Sequence, residues 1–343
     1  MASAMRFLVP RGSQAGVTLS RMFAALLLAA SVAESTDALP RDPQALASEI
    51  VVTDDAVSVR VGGIERVRYQ VALKQPPPGV EKPVAGSGFL HPVRTPGGAI
   101  VTTDFPTDYP HQHGLFHAWT KTEFRGHEVD FWNSHRGLGR VEHDATQPVE
   151  VIDSRTFRVH LNHVDRTGER PVVAMRERRT YRVECDDRET RIDVRSVLAA
   201  ATDDPITLKR HVYGGVAARG PDHWTIAGGH RFVTPQGDDR DSLNHRPFDW
   251  VASTGPAAAG DTRFATLAML SPRSNLRSPQ PVRLHPTMPY FVFSPTVDEP
   301  YAITPGRPLA SRYVYVASDG LPDTARLTEL WRTVDGNAGD ASP

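Results

Sequence analysis

Residues 172–185 read VVAMRERRTYRVEC, and residues 190–198 read TRIDVRSVL. In the first stretch apolar side chains alternate with charged ones along the chain. The apolar side chains that fall on one face are Val173, Met175, Tyr181 and Val183. A period of two residues is typical of a β-strand with one buried face. The two stretches therefore predict long strands, and much of the remaining sequence has the same alternation.

The same alternation recurs along most of the sequence. It predicts further strands over residues 57–61, 67–73, 89–94, 99–104, 157–164, 207–218, 264–270, 290–293 and 309–317. Helical periodicity occurs only near the end, where Pro322 occupies a first helical position. Apolar residues then follow at helical spacing, at Leu327, Leu330, Trp331 and Val334. The sequence predicts an all-β fold, a large sandwich of antiparallel sheets with a C-terminal helix docked on one of them.

The first 33 residues have the pattern of a signal peptide. Arginines precede the apolar run 22–30, and Ser31-Val32-Ala33 supplies the small residues that signal peptidase requires. The run is shorter than the roughly 20 residues that span a bilayer, so no stable membrane span is expected. We therefore predict a periplasmic or secreted protein. The predicted segments are a signal peptide over 1–33, one β-sandwich domain over 34–334 and a disordered tail over 335–343.

The overall charge indicates no polyanionic partner. The chain has 39 basic and 40 acidic residues, a net charge of −1, and no long basic run, so nucleic acid binding is not expected. Its single cysteine, Cys185, excludes an internal disulfide and lies on the apolar face of its predicted strand. We interpret Cys185 as a small buried hydrophobic residue and not as a nucleophile.

Chemically competent side chains are concentrated in residues 103–135, TDFPTDYPHQHGLFHAWTKTEFRGHEVDFWNSH. Five of the 14 histidines and two of the five tryptophans fall there. Prolines exclude a helix at its start, and residues 115–120 favour a strand. A strand that began at His111 would place four such side chains on one face: His111, His113, His117 and Trp119.

The geometry of such a strand sets a limit on what these histidines can do together. On a straight strand His111 and His117 would be roughly 20 Å apart, too far to bind one atom together. We therefore predict an extended cleft, with His111 at the chemistry and His117 and Trp119 further along it. A shared site would require a bend at Pro110 or Gly114.

Three interpretations of this histidine cluster stay open. Imidazoles serve acid/base chemistry, they bind copper, zinc or non-haem iron, and they also fill purely structural roles. The named metal motifs do not fit, because no cupin glutamate follows and no His-Glu-x-x-His sequence occurs. His163-Val164-Asp165 has the spacing of two ligands of a facial triad, which is weak evidence alone. We assign no metal ligand, and the cofactor stays unknown.

Two further sets of polar residues are candidates for ligand binding. The first set lies on one face of the predicted strand 207–218 and consists of Lys209, His211 and Tyr213. The glycines that follow, Gly214-Gly215, permit a bulge or a close approach of a ligand. The other set lies between prolines and would clamp an anionic or polyhydroxyl ligand: Asn275, Arg277, Arg283 and His285. Each set has a structural alternative, an exposed polar strand face for the first and a proline-stiffened loop for the second.

Several stretches carry a family resemblance. They are HPVRTPGGAIVTTDFPTDYPHQHGLFHAW, VDFWN, GGVAAR, PYFVFSP and RYVYVASDGLPD. Together they resemble the exported bacterial family that is labelled PmoA, a domain of unknown function, over nearly all of the mature chain. Members often have His-His-Arg-Gly where this chain has His111-Gln112-His113-Gly114. The strand pattern is also similar to the β-supersandwich of galactose mutarotases, whose histidine and carboxylate act as acid and base on a sugar. The resemblance implies that fold and sugar chemistry, and it transfers no residue role.

The resulting hypothesis is a carbohydrate-binding or carbohydrate-processing protein with a histidine-rich cleft and a small-molecule or glycan ligand. The candidate proton-transfer residues are His111, His117 and His211. The candidate ligand-binding residues are His113, Trp119, Asp130, Trp132, Lys209, Tyr213, Arg283 and His285. The alternatives are a metal-dependent oxidoreductase that uses His111, His113 and His117, and a glycan-binding module without catalysis.

Overall fold

The computed structural model describes residues 46–80 and 84–336. These residues form 21 β-strands and two α-helices. The strands in chain order are β1 Ser48–Val52, β2 Ala56–Val61, β3 Ile64–Gln70, β4 Leu90–Val93, β5 Leu115–Ala118, β6 Thr122–Phe124, β7 His127–Val129, β8 Gly139–His143, β9 Glu150–Asp153, β10 Thr156–Asp165, β11 Val172–Cys185, β12 Glu189–Ala200, β13 Ile206–Leu208, β14 Gly215–Arg219, β15 Arg231–Val233, β16 Trp250–Pro256, β17 Phe264–Leu270, β18 Val282–Leu284, β19 Tyr290–Phe293, β20 Tyr301–Ile303 and β21 Leu309–Asp319. The helices are α1 Arg240–Leu243 and α2 Thr324–Gly336. The predicted signal peptide lies outside the described residues.

Two large antiparallel sheets pack face to face. Sheet 1 has the strand order β1-β2-β3-β4-β5-β14-β19-β18, and sheet 2 has the order β15-β16-β17-β21-β12-β11-β10-β8, with β9 paired to β10. A small third sheet has the order β20-β13-β6-β7. One hydrophobic core contains side chains of both large sheets, among them Val59 and Phe291 of sheet 1 and Val159 and Tyr181 of sheet 2. The predicted all-β sandwich of antiparallel sheets is confirmed.

Strand β11 shows how the sequence produces this packing. Its alternate residues are buried from Met175 to Val183, while residues of the other parity up to Arg182 are exposed or half-buried. Two buried members of the series, Glu177 and Arg179, are charged. Sheet 2 therefore presents an ion pair to the interior at a position where the alternation calls for apolar side chains.

The C-terminal helix packs on the outer side of sheet 2. Its four buried residues contact Trp250, Ala268 and Val316 of that sheet, and they are the predicted Leu327, Leu330, Trp331 and Val334. The helix begins after Asp323, whose carboxylate accepts a hydrogen bond from the backbone N–H of Arg326, and not at Pro322. Asp335, where the predicted tail begins, lies in the helix and accepts a hydrogen bond from the Arg273 backbone N–H. Residues 337–343 of the predicted tail lie outside the described residues.

Two strand predictions near the histidines are wrong, whereas the strand predicted within residues 115–120 is present as β5. Residues 99–104 form only a bridge between Arg94 and Ile100. The predicted strand 207–218 is interrupted, because residues 209–214 lie between β13 and β14 and the glycines at 214 and 215 both have φ of 128°. Strand β5 begins at Leu115 and not at His111. Gly114 has φ of 51°, and a Cβ there would lie 2.1 Å from the Leu90 carbonyl oxygen, so only glycine permits this bend.

Candidate functional site

A cleft opens beside β5, where sheet 1 is incomplete. Strands β4 and β5 pair only at Leu90 and Leu115, so the rest of β5 has no neighbour on that side. The space there measures about 430 Å³ including its open mouth. Its lining includes His111, His113, Phe116, His117 and Trp132 together with residues 85–89. The bend at Gly114 thus brings three predicted histidines to one cleft, and the straight-strand arrangement is corrected.

His117 connects the cleft to the sandwich interior. Its side chain lines the cleft on one side and a small internal cavity with Arg179 and Ser196 on the other. Its Nδ1 lies 3.1 Å from Oε1 of Glu177, which is on β11 of the opposite sheet. An ionised carboxylate only accepts hydrogen bonds, so Nδ1 carries the hydrogen. Nε2 is then the ring nitrogen that can accept a proton, and it has no hydrogen-bond partner within 46–80 and 84–336.

Glu177 is the centre of a buried group that we call the Glu177 network. Its members are His117, His163, Glu177, Arg179, Tyr181 and Ser196. The guanidinium of Arg179 donates to both carboxylate oxygens, at 2.8 and 2.7 Å, and Ser196 Oγ donates at 2.6 Å. His163 Nε2 donates at 3.0 Å. Glu177 is 1% exposed and Arg179 is 2% exposed, so the pair is shielded from solvent.

The network fixes the charge state of its carboxylate. Burial by itself raises the pKa of Glu177, but the Arg179 charge and the hydrogen bonds from the two histidines outweigh it and hold this pKa well below its usual value. Burial lowers the pKa of His163 despite the neighbouring carboxylate, so this histidine is neutral at neutral pH. Glu177 is therefore a permanent acceptor that keeps His117 in one tautomer.

His113 is held by the protein on both sides of its ring. Its Nδ1 lies 2.7 Å from Asp104 Oδ1, and its Nε2 lies 3.1 Å from the backbone carbonyl oxygen of Val84. The ring stacks on Phe89 with centroids 4.7 Å apart. Bonding to His113 and to Lys74 holds the pKa of Asp104 below its usual value against the effect of burial. Since both nitrogens are engaged, His113 shapes the cleft wall rather than offering a free donor or acceptor.

His111 pairs with a histidine that the sequence did not single out. Its Nδ1 lies 3.2 Å from Nδ1 of His135, so one ring donates and the other accepts. Burial, with the nearby His135 and His113, lowers the pKa of His111 to about 3. At neutral pH His111 is therefore an uncharged hydrogen-bonding group and a weak base.

Asp130 holds the loop that carries Trp132. One carboxylate oxygen accepts from the backbone N–H groups of Trp132 and Asn133, and the other accepts from the Asn133 amide and from Arg136, the last at 2.9 Å. The carboxylate is 1% exposed and fully engaged, so it positions the loop and does not face a ligand. The Trp132 ring lies 4.7 Å from the Phe116 ring at the cleft.

Aromatic and basic side chains continue from the cleft over the face of sheet 1 that points away from the core. We call them the outer-face patch: Tyr109, His111, Trp132, Tyr213, Arg283, His285 and Tyr290. The Trp132 ring lies 6.3 Å from the Tyr213 ring, and the Arg283 guanidinium lies 5.7 Å from the Tyr213 ring centre. The rings of His285 and Tyr290 are 6.2 Å apart. Five predicted ligand-binding or proton-transfer residues from three separate sequence segments thus share one surface: His111, Trp132, Tyr213, Arg283 and His285.

Other predicted residues lie elsewhere. Trp119 is 2% exposed in the core around the third sheet, which leaves no ring face for a ligand. Lys209 is an exposed residue paired with Glu123 at 2.6 Å. His211 Nδ1 accepts a hydrogen bond from the Tyr213 backbone N–H at 3.1 Å and organises the turn between β13 and β14. Burial lowers the pKa of His211.

The candidate set between prolines is divided. Asn275 and Arg277 donate hydrogen bonds to backbone carbonyl oxygens, which supports the loop interpretation for these two residues.

The arrangement of donors does not favour the metal alternative. Within the part of the chain that the structure describes, no group of three or more His, Cys, Asp or Glu side chains is arranged to hold a metal ion. A site formed by the three cleft histidines would also have to break one of the two ring contacts of His113. Cys185 is buried, and burial raises the pKa of its thiol to about 11, which agrees with the interpretation as a small hydrophobic residue.

Sequence reasoning missed Glu177, Arg179 and His135. A signal for the first two was present, because both lie on the apolar parity of 172–185, where a charged side chain must face the core. His135 carried no such signal, since its contact with His111 depends on the loop that Asp130 organises.

The chain belongs to a family of unknown function, DUF6807, whose family model matches residues 56–332. That range contains all the motifs that carried the sequence resemblance. No curated protein matches the chain. Among the described residues, no helix has the length and apolar character needed to cross a bilayer.

Some solved structures show a similar fold. The galactose mutarotase related enzyme from Lactobacillus acidophilus matches with 9% identity and a TM-score of 0.35, over 79% of this chain and 97% of that one. An α-galactosidase of family GH36 from Geobacillus stearothermophilus matches with 9% identity and a TM-score of 0.32, over 82% of this chain and 41% of that one. The α-galactosidase from Lactobacillus brevis matches with 8% identity and a TM-score of 0.29, over 85% of this chain and 41% of that one. Likeness at this level gives no information on activity.

Proposed function

We propose that the protein binds a sugar or sugar derivative across the cleft and carries out acid/base chemistry on it, with His117 as the proton acceptor. The observation that carries this proposal is the 3.1 Å contact between His117 Nδ1 and the buried carboxylate of Glu177, made by a side chain that also lines the cleft. A carboxylate that fixes the tautomer of a histidine leaves the other ring nitrogen available as a general base.

The other cleft residues support binding more than proton transfer. His111 has a pKa near 3 and stays neutral, so it suits hydrogen bonding to a hydroxyl group. Phe116 is half-buried beside the histidines, and the Trp132 ring, which is 4% exposed, packs against it at 4.7 Å. Aromatic rings with nearby polar groups are the usual recognition elements for sugar rings, which have apolar faces and hydroxyl edges. A ligand would lie across the mouth of the cleft.

The test compares two histidines that donate to the same carboxylate. In His117→Asn the amide nitrogen takes the position of Nδ1 and keeps the bond to Glu177, but nothing replaces Nε2. In His163→Gln the amide takes the position of Nε2 and likewise keeps the bond, and this side chain does not line the cleft. Binding and turnover of a library of mono- and oligosaccharides are measured by calorimetry and NMR.

We expect turnover in His117→Asn to fall by about 10²- to 10⁴-fold with binding largely kept, because general base catalysis contributes on that scale. His163→Gln should stay within a few-fold of the wild type. Full turnover in His117→Asn refutes the assignment of the base. Sugar binding without any turnover in the wild type would favour a glycan-binding module instead.

Export from the cytoplasm is part of the proposal, and it is supported by the sequence pattern of residues 1–33. The protein isolated from its native source should begin near Glu34. N-terminal sequencing that finds residues 10–30 retained would contradict export by this route.

A further inference from the structure

Arg283 is a part-buried cation without an ionic partner. It lies on β18 opposite Val292 of β19, on the outer face of sheet 1. No carboxylate of residues 46–80 or 84–336 forms a salt bridge with it. Its hydrogen bond is a long one, from Nη1 to the Leu284 carbonyl oxygen at 3.3 Å, and its buried Nε has no partner among these residues. Such a guanidinium loses hydration with only weak contacts in return.

Three buried arginines of the described chain have carboxylate partners. Arg179 pairs with Glu177, Arg312 with Asp193 at 2.7 Å, and Arg219 with Asp108 at 2.8 Å. Arg66 and Arg240 have no ion pair among the described residues, but their guanidinium groups donate to backbone carbonyl oxygens at 2.7–2.8 Å. The one hydrogen bond of Arg283 is longer, at 3.3 Å.

The neighbours of Arg283 also offer donors rather than acceptors. The Tyr290 hydroxyl is buried and has no partner among the described residues. His285 Nδ1 accepts the Met288 backbone N–H at 3.2 Å, which leaves Nε2–H as a donor. Burial, with the charges of Arg283 and Arg219, lowers the pKa of His285 to about 4, which is consistent with a positive local potential. Asp108, the one acidic group that opposes this effect, is already paired with Arg219.

We infer that the outer-face patch is a subsite for the carboxylate of an acidic sugar, with Arg283 as its anchor. The inference deepens the proposed function and rests on it, because Tyr213 and Trp132 connect Arg283 to the cleft through ring contacts. Arg283 is stacked on Tyr213 and its Nε is buried, so the two terminal nitrogens form its available edge. Two parallel donors on a planar group match the two oxygens of a carboxylate.

The experiment uses uronate trisaccharides of galacturonate, glucuronate and mannuronate, each beside its methyl ester. The ester keeps the shape of the ligand and removes its charge. Affinities are measured by calorimetry at low and high salt for the wild type and Arg283→Gln. The matched control is Arg307→Gln, because Arg307 also stacks on a tyrosine, Tyr301 at 5.6 Å, and the variant has the same net charge. A sulfated trisaccharide forms a further arm.

We expect the wild type to bind at least one uronate about 10- to 100-fold more tightly than its ester, which is the scale of a charge-assisted hydrogen bond. Arg283→Gln should abolish this preference, Arg307→Gln should keep it, and higher salt should weaken it. Arg283→Lys should retain only part of the preference for the uronate over its ester. If Arg283→Gln does not fold, this variant and the salt dependence of the wild type test the inference instead.

Equal affinity for acid and ester in a wild type that binds neutral sugars overturns this inference and leaves the proposed function standing. Failure to bind any sugar overturns both. Tighter binding of the sulfated trisaccharide than of every uronate overturns the choice of a carboxylate.

Discussion

The Glu177 network and the outer-face patch lie on opposite sides of sheet 1. They differ in whether their charged side chain has a counter-ion. In the network Glu177 accepts five hydrogen bonds, and its charge is neutralised by Arg179. In the patch Arg283 has no carboxylate partner in the described chain, and the Tyr290 hydroxyl is unbonded. His117 lines the cleft and belongs to the network, and His111 lines the cleft and belongs to the patch.

The difference indicates that the network positions a side chain, whereas the patch is suited to bind a ligand. The Glu177 carboxylate and the Arg179 guanidinium are hydrogen-bonded at every oxygen and nitrogen, although His163 Nδ1 has no partner among the described residues. Such a buried ion pair favours one arrangement, so it holds His117 in place. An unsatisfied donor on a partly exposed side chain such as Arg283 gains free energy when a ligand supplies acceptors. We therefore expect changes in the network to affect stability strongly, and changes in the patch to affect mainly ligand binding.

The largest expected effect is that of removing one partner of the buried ion pair. Arg179→Met should lower the free energy of unfolding by about 3–5 kcal/mol, because Glu177 would then be a buried charge without its counter-ion. The double variant Glu177→Leu/Arg179→Met should recover much of this loss. Arg283→Met, a matched change in the patch, should cost less than about 1 kcal/mol. Urea unfolding measures all three, and equal losses in the two single variants would refute the contrast.

Removal of a tyrosine hydroxyl should lower the free energy of unfolding in the network and should not lower it in the patch. Tyr181→Phe should lower the free energy of unfolding by about 1–3 kcal/mol, since Arg179 Nη1 donates to that hydroxyl at 3.1 Å. Tyr290→Phe removes a buried hydroxyl without a partner, so the free energy of unfolding should stay the same or rise by up to about 1 kcal/mol. Thermal unfolding of the two variants checks this, and a loss in Tyr290→Phe as large as in Tyr181→Phe would show that its hydroxyl is bonded.

The patch should also make stability depend on pH. The pKa of His111 is about 3 in the folded protein and that of His285 is about 4, against roughly 6.5 when unfolded. Between pH 6.5 and 4 the unfolded chain therefore binds more protons, so stability falls as the pH falls through this window. For the buried His111 the slope should be about 1 kcal/mol per pH unit, and His111→Gln should remove it. Urea midpoints at pH 7, 6 and 5 test this, and a slope that is unchanged in the variant contradicts it.

The smallest effect is expected at Lys209, which lies in neither region. Its contact with Glu123 is exposed, so Lys209→Ala should change neither thermal stability nor sugar affinity measurably. A clear loss of sugar affinity in this variant would return Lys209 to the candidate binding residues and would extend the ligand surface beyond the patch.

Much of the fold was readable from the sequence because it depends on local periodicity. The period of two predicted β11 with its bounds, and helical spacing predicted the four buried residues of α2. The break between β13 and β14 was harder to predict, since Gly214-Gly215 signals a bulge as readily as an interruption. The histidine density of 103–135 pointed to the cleft, but the bend at Gly114 depends on the Leu90 carbonyl oxygen of a neighbouring strand.

By itself the sequence determined which residues are strands, which strand faces are apolar and where histidines concentrate, because side-chain parity and composition are local properties. It also placed Glu177 and Arg179 on a buried face, although this was not recognised. Only the tertiary structure decided that His117 meets Glu177, 60 residues away, and that Arg283 meets Tyr213 and no carboxylate. Parity determines the face to which a side chain points, whereas its partner there depends on strand order, register and the packing of one sheet on the other.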